Sequence, residues 1–169
     1  PLALLPDARQ AVLAPEGGAL LETVLVLGDD YPVGAQHHGP LDHDDIALEP
    51  DSIRALVEEA FRSNAGIIGP KLVSWNDPQR LLQVGMAVDK TGALAPISER
   101  LELDQEQHDA IRDVFVVPGA CTVVRADLFS ALGGFDDEIV GLGDDVDLCW
   151  RAHVVGARVL IAPVTRVRH

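Results

Sequence analysis

Two helix-to-strand transitions constrain this chain more than anything else in it. Asp51 or Ser52 can cap a helix whose apolar positions are Ile53, Leu56, Val57, Ala60 and Phe61, with Glu58, Glu59 and Arg62 facing out. Asn64-Ala65-Gly66 stops it, and the apolar run Ile67 to Val73 follows at once. The same order recurs at the other end: a helix from Asp144 to Val155, a stop at Gly156, then the strand Arg158 to Ala162. Pro163 breaks that strand and Val167-Arg168-His169 closes the chain as a short extended piece. A helix with one apolar stripe, joined tightly to a run apolar on both sides, has to lie across a sheet that is covered on both faces.

The remaining segments fit that scheme. Thr23 to Leu27, Leu81 to Val88, Val114 to Val117 and Ala120 to Val124 read as strands. Asp89-Lys90-Thr91-Gly92 is a turn, and Asp127 caps a short helix over Leu128 to Leu132 that ends at Gly133-Gly134. Leu101 to Arg112 is acidic and reads as a short surface helix. Pro70 inside an apolar run implies a bend or a sheet edge. The expectation is an α/β domain of three layers, α/β/α, around a mixed, mostly parallel sheet. With 169 residues, 47% of them hydrophobic, the chain can bury one sizeable core.

Charge narrows the partners. A formal net charge of -14 argues against a nucleic-acid backbone, which needs a basic face. An anionic substrate requires a metal ion or local Arg and Lys to offset repulsion. Cys121 and Cys149 lack CxxC spacing and read as reduced core residues. The opening Pro1-Leu2-Ala3-Leu4-Leu5-Pro6 lacks the basic region of a signal peptide, and no apolar run is long enough for a bilayer. The chain reads as cytosolic, or as the cytosolic domain of something larger.

Two acidic clusters carry the chemistry. Asp42-His43-Asp44-Asp45 follows a Gly-Pro break. A hard divalent ion takes oxygen ligands, and in phosphate chemistry the protein often supplies only one or two carboxylates. The same segment also reads as a solvated acidic turn. The second cluster, Asp144-Asp145-Val146-Asp147, opens the last helix after the loop Gly133-Gly134-Phe135-Asp136-Asp137-Glu138. Acids in a first helical turn are favoured by the macrodipole by about 0.3–1 kcal/mol each. A carboxylate on a helix tip also suits a base presented to a hydroxyl. Arg151 can hold one acid of this cluster or pack along the helix. His43 has its pKa raised by its acidic neighbours, and His169 is either a metal ligand or a frayed terminal residue. His37 and His38 read as loop positions, His108 and His153 as surface, and Trp75 and Trp150 as packing anchors before substrate platforms. No GxxxxGK[ST], strand-to-helix GxGxxG or GxSxG occurs, which excludes P-loop enzymes, dinucleotide reductases and α/β-hydrolases.

Taken together, Asp44-Asp45-Ile46-Ala47-Leu48-Glu49-Pro50-Asp51, Gly66-Ile67-Ile68-Gly69-Pro70-Lys71-Leu72 and Val117-Pro118-Gly119-Ala120-Cys121 resemble family-2 glycosyltransferases of the A-type fold. Arg125-Ala126-Asp127-Leu128-Phe129, Gly133-Gly134-Phe135-Asp136 and Asp144 to Arg151 continue the likeness, with Gly156, Pro163 and His169 closing it. The order and spacing run from Asp42 to His169. The wording is similar to membrane-associated actinobacterial members that build envelope or extracellular polysaccharide. The resemblance implies a nucleotide-diphospho-sugar transferase-like domain in which 42–169 is the metal-, donor- and acceptor-binding half and 1–41 a partial or degraded nucleotide-binding half. It implies metal binding (Mg2+ or Mn2+) by Asp45 with His43 and His169. Donor contacts fall to Asp44, Asp29, Asp30 and Gly119. Asp145 falls on the general base, with Asp144 in place of the usual Glu, and Gly134, Phe135, Asp144 and Arg151 fall on the acceptor side. The implied reaction is inverting, metal-dependent transfer of a sugar from a nucleotide-diphosphate donor to a glycan or lipid-linked hydroxyl. The implied place is the cytoplasm, at the inner face of the plasma membrane, with tethering through segments outside this chain. The alternatives are a nucleotidyltransferase of the same fold class and a catalytically silent glycan- or nucleotide-binding module.

Overall fold

The computed structural model describes residues 46–136, 138–139 and 143–169, together with the backbone of 2–4, 10–13 and 23–26. The expectations for Asp29, Asp30, His43, Asp44 and Asp45 fall outside the described residues.

The first clear element after the N-terminal strands is the helix α1, Ser52–Ser63. Ser52, Leu56 and Glu59 form its buried stripe, with Ile53, Val57 and Ala60 packed beside them. It ends where Asn64 turns left-handed at φ 53°, donating its N–H to the carbonyls of Ala60 and Phe61. Asp51 precedes the helix without capping it, because its carboxylate accepts from Arg54 at 2.6 Å. One expectation fails on this helix. Phe61 is 50% exposed and Glu59 is buried. At 3.6 residues per turn Phe61 falls on the face opposite the stripe that Ser52, Leu56 and Glu59 set, and Glu59 is paired there with Arg62.

The strand that follows is the middle of the sheet. Numbered along the chain, the strands are β1 (Leu2–Leu4), β2 (Gln10–Leu13), β3 (Thr23–Val26), β4 (Ala47–Leu48), β5 (Ala65–Val73), β6 (Leu81–Gln83), β7 (Met86–Val88), β8 (Leu94–Pro96), β9 (Arg112–Asp113), β10 (Thr122–Arg125) and β11 (Arg158–Arg168). The main sheet runs β1-β2-β3-β10-β5-β11-β4, with β6 added to β5 and β9 to β11. Every residue of β5 is buried. The sheet is mixed, as expected, but its balance differs from the mostly parallel sheet anticipated. Among the described pairings β5 with β11 is the parallel one, and the others are antiparallel.

Pro70 is not at an edge. The register of β5 with β11 goes from Gly69↔Ile161 directly to Lys71↔Arg166, so Ala162 to Thr165 face Pro70 alone. The residue without an N–H falls where the ladder is already interrupted. Ser52 Oγ and Thr165 Oγ1, 2.6 Å apart, fasten this bulge to the start of α1.

Alternation along β5 and β11 splits the core in two. Ile68, Leu72, Leu160, Ala162 and Val167 face α1 with Leu56. Ile67, Val159 and Ile161 face the helix α3 (Asp144–Val154), which adds Leu148, Cys149 and Ala152. The short helix α2 (Ala126–Ala131) lies on that second side through Leu128 and Phe129. The three layers are therefore α1, the sheet, and α2 with α3. Both cysteines are free and buried, and burial pushes each thiol up to about 12.

The sequence between β5 and β10 departs most from expectation. The strand anticipated over Leu81 to Val88 is split at Gly85, φ 92°, where an added Cβ would stand 2.7 Å from Val114 and 2.8 Å from Ile161. Val114, Val116 and Val117 are buried as expected, with Phe115 half-buried, but regular pairing stops at Asp113. Residues 101–112 form no helix, and Leu101 and Glu106 are left-handed at φ 59° and 66°. A charge inside the sheet holds this excursion. Lys71 is fully buried, and its Nζ lies 3.0 and 3.2 Å from the carboxylate oxygens of Asp104. Asp109 closes on the same ammonium, and Arg166 reaches Asp104 at 3.2 Å. Burial pushes the Asp104 carboxyl upward, but the hydrogen bond and charge of Lys71, helped by Arg166, outweigh it and hold it below the usual range. Removing one partner of a buried pair typically costs about 3–5 kcal/mol. Lys71→Met should lower the urea midpoint by an amount corresponding to that range and open residues 97–112 to protease. An unchanged midpoint would show that Lys71 contributes nothing to holding the excursion.

Candidate active site

The parallel strands β5 and β11 run to one end of the sheet, and the other functional pieces arrive at that end by connectivity. α3 joins β11 through Val155-Gly156-Ala157, with Gly156 at φ 79°, so the helix runs back and its first turn stands at the C-terminal edge of the strands. β10 is antiparallel to β5, which brings the segment before it, Val117 to Cys121, to the same edge. Gly69 is what lets that segment lie down on β5. A Cβ there would sit 2.3 Å from Val117 and 3.2 Å from the carbonyl of Cys121. Ligands in open α/β sheets bind beyond this edge.

Asp145 is the residue these elements converge on. Its side chain is 7% exposed. Oδ2 accepts from the Gly119 N–H at 3.1 Å and Oδ1 from the Val146 N–H at 2.8 Å. Burial raises its carboxyl above the usual range and the charge of Asp144 adds to this, while the Gly119 and Val146 amides pull the other way. The three first-turn acids thus separate. Asp147 accepts from Arg151 Nε at 2.7 Å on the side of the helix. Asp144, half-buried, accepts from the Asp145 N–H at 2.8 Å. The macrodipole accounts for these two. It does not account for a buried Asp145 turned onto the backbone of another loop. Raised pKa with fixed orientation is what a general base requires.

Arg151 serves a different part. Its Nη1 donates to the carbonyls of Leu132 at 2.8 Å and Gly134 at 2.9 Å, while the rest of the guanidinium holds Asp147. Gly133 and Gly134 are left-handed, φ 83° and 77°, and Arg151 fixes that turn against α3. Phe135 follows it and packs edge-on to Phe129, centroids 5.4 Å apart. Of the residues expected on the acceptor side, Gly134, Phe135, Asp144 and Arg151 therefore share the neighbourhood of α3.

His169 ends the parallel ladder. Its N–H donates to Val73 at 3.0 Å and its carbonyl accepts from Trp75 at 3.1 Å. The backbone is thus tied rather than frayed. Its Nδ1 is buried without a hydrogen-bond partner among the described residues, a lone ring nitrogen that suits a metal ion or a phosphate oxygen. β4 pairs Ala47 with Arg168, next to His169, and Asp45 precedes Ala47 by two residues in sequence. Among the described residues no group of three or more His, Cys, Asp or Glu is arranged to hold a metal.

Sequence reasoning missed the Lys71–Asp104–Asp109 network. The available signal was one lysine inside an otherwise apolar strand. It also placed two histidines on the surface that are half-buried. His153 bonds the Phe115 carbonyl at 2.9 Å and stacks on its ring, and His108 lies 3.3 Å from Glu102. Trp150 packs edge-on to Phe115 at 5.5 Å, as an anchor should, though half of it stays in water.

Comparison with known proteins places the chain in a family. The family model described as glycosyl transferase family group 2 matches residues 40–169, and the chain belongs to that family. The O-antigen biosynthesis protein RfbC of Myxococcus xanthus is 30% identical over 135 residues, 76% of this chain and 10% of that protein. The pre-mycofactocin glycosyltransferase of Mycobacterium tuberculosis is 45% identical over 56 residues, 33% of this chain and 12% of that protein. The chain thus spans about a tenth of the length of these relatives. In fold it is similar to the crystal structure of GalNAc-T7 with UDP, GalNAc and Mn2+, at a TM-score of 0.54 and 15% identity over 73% of this chain and 26% of that one. The fold is thus that of the A-type glycosyltransferases. No helix among the described residues is long and apolar enough to cross a membrane.

The buried charge of Asp145 has a consequence for stability. A carboxyl whose pKa is higher folded than unfolded penalises folding at pH values above the folded pKa, and the penalty fades as pH falls through it. Asp145→Asn keeps an acceptor for Gly119 without the charge. Its Tm should exceed that of the native chain at pH 7.5, with the difference shrinking toward pH 4. A gap that widens on acidification would contradict the assigned direction.

Proposed function

We propose that the chain is the catalytic part of an inverting glycosyltransferase that moves a sugar from a nucleotide-diphosphate donor to a hydroxyl of a glycan or lipid-linked acceptor. The observation that carries this is Asp145, buried with a raised pKa and aimed by the Gly119 amide at the edge where β5 and β11 end. The printed roles of the relatives, O-antigen biosynthesis and glycosyl transfer, support it, as does a neighbour of the same fold with UDP and Mn2+ bound.

Asp145 takes the proton of the acceptor hydroxyl while that oxygen forms its bond to the anomeric carbon. The bond from that carbon to the diphosphate oxygen breaks on the opposite face, and the nucleoside diphosphate leaves with the electron pair. A neutral hydroxyl is a weak nucleophile, so proton removal has to accompany attack. The Gly119 N–H, expected on the donor, is occupied by Asp145 and acts by orienting the base. The carboxylate of Asp144 beside it adds to the raised proton affinity of Asp145. Gly134 and Phe135, held by Arg151, border the acceptor. We assign metal binding to Asp45 with His169, whose unpartnered Nδ1 fits the role, and with His43. Asp44, Asp29 and Asp30 are assigned to the donor. Mg2+ or Mn2+ bound there would supply positive charge for the leaving diphosphate. We place the reaction at the inner face of the plasma membrane, on an acceptor assembled there.

Titration calorimetry with UDP-, GDP- and dTDP-sugars should show binding that requires Mn2+ or Mg2+ and is lost with EDTA. Asp145→Asn should keep that binding within a few-fold and lose transfer by about 100- to 10,000-fold. Absence of nucleotide binding at any metal concentration refutes the enzyme, and loss of binding in Asp145→Asn refutes the role of the base.

A further inference from the structure

Beyond the ends of β5 and β11 the parallel ladder carries on for one more rung, through the two hydrogen bonds between His169 and the backbone of Val73 and Trp75. The chain then turns back at once. Ser74 donates to the Arg80 carbonyl at 2.9 Å, Arg80 to the Asp77 carbonyl at 2.8 Å, and Gln79 to Asp77 Oδ1 at 3.2 Å. Trp75 is therefore pinned from both sides on a closed turn, yet it is 48% exposed. Roughly 100 Å² of a ring of this size is left in water. Trp150, the other tryptophan, has Phe115 against its edge, whereas Trp75 has no ring partner among the described residues. Val73, two residues earlier, packs with Leu81, Val84 and Ile97, and Ile97 also touches the cluster under α3. Trp75 thus stands at the edge where β5 and β11 end, the edge at which the first turn of α3 carries Asp145.

We propose that Trp75 is the platform on which a sugar ring of the acceptor stacks, a role that rests on the glycosyltransferase reading above. A rigid indole with a bare surface matches the apolar C–H face of a pyranose. Asn76, exposed beside it with no hydrogen-bond partner for its amide among the described residues, offers both a donor and an acceptor to sugar hydroxyls. The charge around the turn disfavours a phosphate: Asp77 is exposed, and the nearby Arg80 is engaged with Asp77 and the Leu101 carbonyl. Lying beside His169, the platform would hold an acceptor close to the donor diphosphate and leave its hydroxyl to Asp145.

Trp150→Phe in 15N-labelled protein leaves one indole N–H signal, that of Trp75. Methyl glycosides of glucose, galactose, mannose, N-acetylglucosamine and rhamnose are then titrated with UDP and diamagnetic Mg2+ present. At least one should shift this signal saturably, and UDP, GDP or dTDP with Mg2+ alone should leave it in place. A shift on nucleotide alone makes Trp75 a nucleobase platform and overturns the proposal, as does a signal unmoved by every glycoside. In transfer to the glycoside that binds, Trp75→Ala should raise KM about tenfold, the size of one lost aromatic contact. kcat and the slow transfer of the donor sugar to water should stay at the native level, and Trp75→Phe should recover most of the loss. Native protein that transfers sugar to water but shows no glycoside shift refutes Trp75 alone, whereas native protein that binds no nucleotide and cleaves no donor refutes the parent reading.

Discussion

The parallel pairing of β5 with β11 is the constraint on which the site depends. A parallel pair needs a long crossover, and α3 supplies the last part of it by running back along one face of the sheet. That return is why the first turn of α3 stands at the same edge where β5 and β11 end. The ladder also fixes which residues face which layer, since Ile67, Val159 and Ile161 turn to α3 while Ile68, Leu160 and Val167 turn to α1. A shift of one residue would exchange the two sets and expose neither, because both faces are covered. The interruption at Pro70 absorbs the only mismatch within this pairing beyond its first residue, and Ser52 with Thr165 closes over it.

A second constraint works through charge. Lys71 occupies a position that an apolar residue would fill at lower desolvation cost. In exchange its ammonium draws Asp104 and Asp109 onto the sheet and, through Asp104, Arg166 of β11. The excursion from Ile97 to Arg112 has few apolar side chains with which to dock, and Leu101 and Leu103 both point into water. Its placement rests on these ion pairs and on backbone hydrogen bonds, Leu81 with Leu101 and Glu102 and Gln79 with Asp104, and its left-handed residues Leu101 and Glu106 lie within that docked stretch.

This division explains what could be read from sequence. Elements whose burial follows a simple period were legible: α1 with its stop at Asn64, the uniformly buried β5, α3 with its stop at Gly156, and β11 as far as Ala162. Elements set by contacts distant in sequence were not. Leu81 to Val88 looks like one strand until Val114 and Ile161 occupy the space beside Gly85. Residues 101–112 have helical composition, and nothing within them reveals that Lys71 claims their acids. Pro70 suggested an edge because the bulge that accommodates it lies in β11, far along the chain. In the site, the pairing of Asp145 with Gly119 was not anticipated: the resemblance set Gly119 against the donor, and no local pattern links a residue on a helix tip to a glycine in another loop. Arg151 was recognised as a partner for the acidic cluster, but its grip on the Leu132 and Gly134 carbonyls depends on a turn whose glycines fit many conformations.

The environment of Asp145 shows how these constraints meet in chemistry. A solvated carboxylate on the helix tip would be free to rotate and too weak a base to assist a hydroxyl. Burial under the Val117–Cys121 segment raises its proton affinity, and the Gly119 amide limits the gain while fixing one oxygen in place. Both effects require that segment to lie directly on β5, which only the missing side chain of Gly69 permits. The same packing places the thiol of Cys149, one turn along α3, against Val117, so Asp145 and the helix that bears it are seated by a single loop. The strand that sets the fold thus also sets the basicity of the group at its edge, with two glycines, Gly69 and Gly119, as the link between them.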